Sequence, residues 1–374
     1  MDDSVAPRTL YGWLVEGDSP TVLDVRSRTD FEAWRVDGPG VRAVQVPQVE
    51  FLAAQARGDV ADLAAEHALD GPVVVVCAKG ESSDHVAGLL REAGIEAANL
   101  EEGMRGWARL LVAREVPGGP EGATVVQYDR PATGCLSYLV VAGDAAAAVD
   151  PLRAFAGRYA ADAADRGADL VAAVDTHVHA DHRSAVRVLA AATGADPVLP
   201  AGAADRGLGY EVRTLADGDA VTVGDHALTA VDAPGHTPEL QVLCLGDVCL
   251  TADALFLDGV GRPDLLGDDR HRERAATLYD TLHDVLLEFP GATVALPGHH
   301  EAGSVPEGEA FAAPLGDLRD RLELLGVDRT AFVDRVAAAD RPRPVNHEAI
   351  VAWNLGRGET GGYELELGPN NCAA

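Results

Sequence analysis

Lysine is almost missing from this 374-residue chain: Lys79 stands alone, and every other cationic side chain apart from histidine is an arginine. Positive charge is scarce altogether, with 30 Lys plus Arg against 60 Asp plus Glu and a formal net charge of −30. Such a chain repels polyanions, which excludes nucleic acid and anionic membranes as main partners. Acidic residues spread along a chain rich in Ala, Gly and Val predict adaptation to high salt, where screening removes the self-repulsion that loosens a fold. An ordinary acidic protein from a GC-rich genome is the alternative. A run of roughly 18 apolar residues is lacking too, so no membrane span is expected. The start, Met1-Asp2-Asp3-Ser4, lacks the basic and apolar regions of a signal peptide. The cysteines, Cys77, Cys135, Cys244, Cys249 and Cys372, are odd in number and irregular in spacing. That pattern predicts a reducing cytoplasm rather than a disulfide framework. Internal repeats and low-complexity tracts are absent as well.

What is present centres on Thr176-His177-Val178-His179-Ala180-Asp181-His182. It follows Leu170-Val171-Ala172-Ala173-Val174, a short, partly β-branched apolar run that ends abruptly in polar residues, as a buried strand does. Side chains just past a strand end can converge on one point. Three imidazoles and a carboxylate are each costly to bury unpaired, and protonated imidazoles repel one another. A divalent metal resolves both problems, since zinc, iron and manganese accept neutral imidazole nitrogen and carboxylate oxygen. A solvated polar loop is the plainer alternative, and it requires no such spacing.

Three more segments follow strand-like runs: Ala233-Pro234-Gly235-His236, Thr251-Ala252-Asp253-Ala254 and Leu296-Pro297-Gly298-His299. Together with H-x-H-x-D-H they resemble the metallo-β-lactamase superfamily. The resemblance implies an αββα sandwich and ligand-type residues His177, His179, Asp181, His182, His236, Asp253 and His299.

The chain is long for one core and suggests two domains. Near its start, Thr21-Val22-Leu23-Asp24-Val25, Ala43-Val44-Gln45-Val46 and Pro72-Val73-Val74-Val75-Val76 read as strands, with helices near 49–56 and 60–67 between them. Alternation of this kind argues for a small α/β unit with a parallel sheet. The last strand leads into Cys77-Ala78-Lys79-Gly80-Glu81-Ser82-Ser83 and an amphipathic helix over 84–93. A cysteine ahead of a Gly-containing loop and a helix N-terminus meets loop amides and positive potential, which stabilise a thiolate or an anion. An inert buried cysteine at a strand end is the competing reading. With Leu23-Asp24-Val25-Arg26 and Gly103-Met104-Arg105-Gly106-Trp107, the segment resembles a single-domain rhodanese over residues 8–113. That resemblance implies a persulfide carried on Cys77, with Lys79, Gly80, Ser82 and Ser83 in its loop. Lys79 and Glu81 stand where rhodanese loops often carry an arginine.

The expected organisation is therefore an α/β rhodanese-like domain over 1–115, a Pro/Gly-rich linker over 116–123, an αββα metallo-β-lactamase-fold domain over 124–345, and a C-terminal helix and tail over 346–374. Two chemistries fit the second domain by resemblance. Glyoxalase II-type thioester hydrolases hold two Zn(II) bridged by the residue corresponding to Asp253, and a metal-bound hydroxide attacks a hydroxyacyl-thiol. Persulfide dioxygenases keep the same seven residues but hold one Fe(II), mapped here onto His179, His236 and Asp253. In that mapping His177 orients water or substrate from just outside the ligand set, and Asp181, His182 and His299 are accessory or belong to a second metal. Two features favour the dioxygenase. Gly261-Arg262-Pro263-Asp264-Leu265 resembles its Gly-Arg-x-Asp motif, although Val260 replaces the usual cysteine. An attached persulfide-handling domain also makes chemical sense beside a persulfide-consuming one. The expected partners are a low-molecular-weight thiol persulfide, O₂, and sulfite or thiosulfate. Self-association into a homo-oligomer is left open. His299-His300 departs from the family's Gly-His-Asp/Glu-Tyr continuation.

Overall fold

The computed structural model describes residues 2–366 apart from 19, 268, 302, 339–342, 345 and 359–362. Cys372 lies outside the described residues. The chain divides into two compact units, one made of 1–111 with 130–134 and 302–305, the other of the remainder.

The first unit is built on five parallel strands, β1 (Ser4–Val5), β2 (Thr21–Asp24), β3 (Arg42–Gln45), β4 (Val73–Val76) and β5 (Ala97–Leu100), in the order β1-β5-β4-β2-β3. The four valines of β4 are fully buried, as a central strand covered on both faces requires. Phe51, Ala64, Val86 and Leu90, from the helices Gln48–Arg57, Val60–Glu66 and Glu81–Glu92, pack in the core with Val73 and Val75. Cys77 follows β4 directly, and Glu81–Glu92 begins four residues later.

The second unit is an αββα sandwich. One sheet has seven strands: β6 (Val112–Glu115), β7 (Ala123–Arg130), β8 (Cys135–Ala142), β9 (Ala145–Val149), β10 (Asp169–Val174), β11 (Asp196–Pro200) and β12 (Arg213–Leu215), in order β12 to β6. The other has six: β13 (Ala220–Val223), β14 (His226–Asp232), β15 (Gln241–Leu245), β16 (Val248–Ala252), β17 (Val294–Pro297) and β18 (Ala313–Pro314), paired in sequence order. Their facing sides share one core that includes Val140, Val149, Val174, Leu228, Leu243, Leu250 and Leu296. A second apolar cluster joins Val242, Cys249 and Ala295 to Leu278, Leu282, Leu318 and Phe332 of the covering helices. Strands β14 and β16 both run antiparallel to β15, and β17 runs parallel to β16. The loops after β14, β16 and β17 therefore leave the same edge of the sheet, bringing His236, Asp253 and His299 into one neighbourhood.

Three expectations need correction. The first domain ends at 111 rather than 115, because Val112–Glu115 pairs antiparallel with β7 as an edge strand of the sandwich. Of residues 116–123, expected as a linker, 116–122 form the loop of that hairpin and Ala123 opens β7, with the Val116 N–H donating to the Val125 carbonyl at 2.8 Å. Cys244 and Cys249 form a disulfide. They are only five residues apart, yet the β15–β16 register sets them directly opposite.

Glycine spacing in Gly103-Met104-Arg105-Gly106-Trp107 has a steric reason. A Cβ on Gly103, at φ +55, would lie 2.1 Å from the Cys77 carbonyl oxygen, and one on Gly106 would lie 2.3 Å from that of Glu101. The segment lies backbone-to-backbone on the cysteine loop, with Met104 N–H donating to Cys77 O at 2.8 Å. Gly103→Ala is expected to destabilise the first unit by about 2–4 kcal/mol. Gly12→Ala, in the helix Pro7–Glu16 with nothing within 4 Å of the added carbon, is expected to be neutral or to gain about 0.5–1 kcal/mol. Urea unfolding of both variants checks the contrast.

Candidate metal centre and cysteine site

The metal-type residues form adjoining buried groups. Ligand atoms of His177, His236 and Asp253 lie within 4.8 Å of one another, as do those of Cys135, Asp181, His182 and His299. Local hydrogen bonds fix which atom each ring presents. Thr176 Oγ1 sits 3.0 Å from His177 Nδ1, leaving Nε2 free and 3.8 Å from Asp253 Oδ2. His236 Nδ1–H donates to the Arg262 carbonyl at 2.9 Å, which turns Nε2 to within 3.4 Å of the same oxygen. His299 spans the two groups, with Nδ1 2.7 Å from Asp253 Oδ1 and Nε2 3.0 Å from Asp181 Oδ2. Asp181 Oδ2 also lies 3.0 Å from His182 Nδ1 and accepts from the Cys135 thiol at 3.3 Å.

Buried polar atoms without partners cost free energy. Here His177 Nε2, His179 Nδ1, Asp181 Oδ1, His182 Nε2 and Asp253 Oδ2 all lack a hydrogen bond. Neutral imidazole nitrogens and carboxylate oxygens left open in this way fit a divalent cation. At His177, His236 and Asp253, protonation agrees with that. Burial first, then the charges of His179 and His236, holds His177 far below the usual imidazole range, so it is neutral and able to ligate. Burial also lowers His236, against the pull of Asp253. Burial would raise Asp253, but the charge and hydrogen bond of His299 keep it below the ordinary carboxylate value. Cys135 is pushed up by burial and by the charge of Asp181, but His182 and His299 bring it down to about 7.

The fold groups His177, rather than the expected His179, with His236 and Asp253. His179 turns its Nε2 to Asp150 Oδ1 at 3.0 Å and clusters with Asp150 and Asp175. Sequence spacing alone could not decide between two histidines two positions apart. Arg262 and Asp264 do pair, at 2.7 and 2.8 Å, with Arg262 buried. The backbone carbonyl of Arg262 is what reaches the centre, through His236.

Several supporting residues were missed. Asp150, at φ +49, accepts from the Thr176 N–H at 2.7 Å and from its hydroxyl. Glu239 accepts from the Val178 N–H at 3.1 Å. Asn354, in the C-terminal helix His347–Asn354, donates to the carbonyls of His179 and His182, both at 2.9 Å, and accepts from the Ser184 N–H. That helix therefore belongs to the metal centre rather than to a separate tail. Cys135 signalled nothing beyond its residue type.

In the first unit, Cys77 Sγ accepts from the Gly80 N–H at 3.0 Å and the Ser83 hydroxyl at 3.1 Å. Burial raises the thiol, but Ser83 and the loop amides outweigh it and bring it below its ordinary value. Lys79 and Glu81 are exposed, and Ser82 is half-buried beside the site.

Comparison with known proteins identifies both domains. The rhodanese-like domain model matches residues 7–110, and the metallo-beta-lactamase superfamily model matches 130–299. The human mitochondrial persulfide dioxygenase ETHE1 is 32% identical over 195 residues, which cover 50% of this chain and 72% of that one. The mouse counterpart is 32% identical over 177 residues, covering 45% of this chain and 65% of the relative. A beta-lactamase hydrolase-like protein of Xylella fastidiosa is 26% identical over 316 residues, 74% of this chain and 71% of that one. Among solved structures, ETHE1 from Myxococcus xanthus superposes with a TM-score of 0.54 at 26% identity, covering 66% of this chain and all of the other. The chain belongs to the metallo-β-lactamase superfamily and carries a rhodanese-like domain ahead of the metal-binding one.

A Cβ on Gly261 would lie 1.9 Å from the Asp253 carbonyl oxygen. Gly261→Ala is therefore expected to displace Asp253 and cut metal content of the purified protein to well under half of wild type. Thr176→Val, which frees His177 Nδ1, is expected to weaken metal binding about 10–100-fold. Elemental analysis and competition with a chelator check both.

Proposed function

We propose that the chain is an iron-dependent persulfide dioxygenase with an attached rhodanese sulfurtransferase domain. The observation that carries the reading is the pairing of two buried imidazoles, His177 and His236, with one carboxylate, Asp253, with His177 Nε2 and Asp253 Oδ2 left without hydrogen bonds. Two histidines and a carboxylate with open positions are the ligand set of non-haem Fe(II) oxygenases. The names of the human and mouse relatives support the same choice. Fe(II) held by these three residues would supply the redox chemistry that lets O₂ react with a persulfide sulfur. The reaction balances as R–S–SH + O₂ + H₂O giving R–SH + SO₃²⁻ + 2 H⁺. Thr176 and the Arg262 carbonyl keep the two imidazoles in ligating orientation, and the His299 contact keeps Asp253 ionised and aimed.

At the other site, a persulfide on Cys77 would receive hydrogen bonds from Gly80 and Ser83, and sulfite could take its outer sulfur as thiosulfate, restoring the Cys77 thiolate. A second reading, a thioester hydrolase with two Zn(II), is favoured by one observation: Cys135, Asp181, His182 and His299 form a second buried group of ligand-type atoms adjoining the first.

Metal analysis with O₂ uptake on glutathione persulfide separates the two. One iron per chain and O₂ consumption matched by sulfite are expected. Two zincs with no O₂ uptake would reverse the assignment. Cys77→Ser is expected to abolish thiosulfate-to-cyanide sulfur transfer while leaving O₂ uptake within about two-fold, because the two sites share no residues and belong to separate units.

A further inference from the structure

Ser83 is fully buried and its hydroxyl oxygen lies near three acceptors: Cys77 Sγ at 3.1 Å, the Gly80 carbonyl at 3.1 Å and Asn99 Oδ1 at 2.6 Å. A hydroxyl has one proton and can satisfy one of them fully. Asn99, on β5 and only 9% exposed, makes the shortest contact and can offer either end of its amide. With the carbonyl end toward Ser83, the proton goes to Asn99 and the sulfur loses its hydroxyl donor. With the NH₂ end toward Ser83, the amide donates to the Ser83 oxygen, and the serine proton is directed to Cys77. A charged sulfur favours the second arrangement, because a hydrogen bond to an anion is about twice as strong as one between neutral groups.

We infer that Asn99 is a positioning residue for Cys77, acting through Ser83 to place a hydroxyl proton on the sulfur when it carries charge as thiolate or persulfide. The inference rests on the sulfurtransferase reading of the first unit. Without Asn99 the Ser83 oxygen loses the amide N–H that orients it and strengthens its O–H as a donor, so its bond to the anionic sulfur weakens and competes with the Gly80 carbonyl.

The test is the pH profile of Cys77 alkylation by iodoacetamide in the full chain, followed by mass spectrometry of the Cys77 peptide. Asn99→Leu is expected to raise the midpoint by about one pH unit, about a ten-fold slower reaction below it. Ser83→Ala should do the same, and the double variant should fall within about two-fold of either single one, since both changes remove one relay. An unchanged midpoint in Asn99→Leu, or a double variant whose effect is the product of the two, overturns the inference. If Asn99→Leu does not fold, Asn99→Asp preserves size and offers only acceptors. It should raise the midpoint, and by less in the Ser83→Ala background; an equal rise in both backgrounds would mean through-space charge alone and also overturn it. Wild-type thiosulfate-to-cyanide transfer is measured alongside. Its absence would remove the sulfurtransferase assignment while leaving the alkylation result to stand or fall separately.

Discussion

A carboxylate taken out of water has to recover several hydrogen bonds, and Asp150 recovers them all from the metal loop. It is almost fully buried, and its oxygens accept from the Thr176 backbone N–H and hydroxyl and lie 3.0 Å from His179 Nε2. Asp150 directly follows β9, and Thr176 lies at the start of the loop after the neighbouring β10, two residues past its end, so one side chain ties the two strand ends together. The geometry of the centre descends from this tie. Thr176, held at both N and Oγ1, meets His177 Nδ1, and His177 is thereby left with Nε2 as its open atom. The left-handed backbone at Asp150 and again at Ala252, just before Asp253, places local strain at the two positions that aim the ligands.

Charge explains why the cluster is closed on itself. Asp150, Asp175, Asp181 and Asp253 are all buried beside His177, His179, His182, His236 and His299. Burial alone would neutralise every one of these groups. Instead Asp181 is held well below the usual carboxylate range, because His182 and His299 outweigh its burial, and His182 is correspondingly held well above the usual imidazole range by Asp181. The pairing leaves His177 and His236 neutral and Asp253 ionised, which is the protonation a cation needs from its ligands.

Much of this was legible in the sequence. Parallel β4 leading into Cys77, the sandwich, and each metal-type residue at a strand end could be read from apolar runs that stop at polar motifs, because that pattern reports strand ends directly. What could not be read depended on contacts between distant segments. The choice between His177 and His179 is set by Thr176 and Asp150, and the role of Asn354 by three backbone groups 170 or more residues away. A Pro/Gly-rich stretch such as 116–123 is chemically the same in a hairpin loop as in a linker, and only the pairing of Val112–Glu115 with β7 distinguishes them. The Cys244–Cys249 disulfide was hidden by counting cysteines instead of asking which positions a hairpin sets opposite.

The Gly261-Arg262-Pro263-Asp264 segment shows how a motif can point to the right place for an incomplete reason. Its charged side chains invite a role in binding substrate, yet Arg262 is buried and spends its guanidinium on Asp264. Gly261 lets the backbone approach Asp253 where any Cβ would collide, and that approach brings the Arg262 carbonyl to His236. Gly298 repeats the device from the other side, since a Cβ there would lie 2.4 Å from Asp253 Oδ1. Asp253 is thus enclosed by two glycine backbones and by His299, leaving Oδ2 as its only unbonded oxygen. The segment contributes to the chemistry by fixing which carboxylate oxygen and which imidazole nitrogen remain available, and the Arg262–Asp264 pair holds that backbone in place.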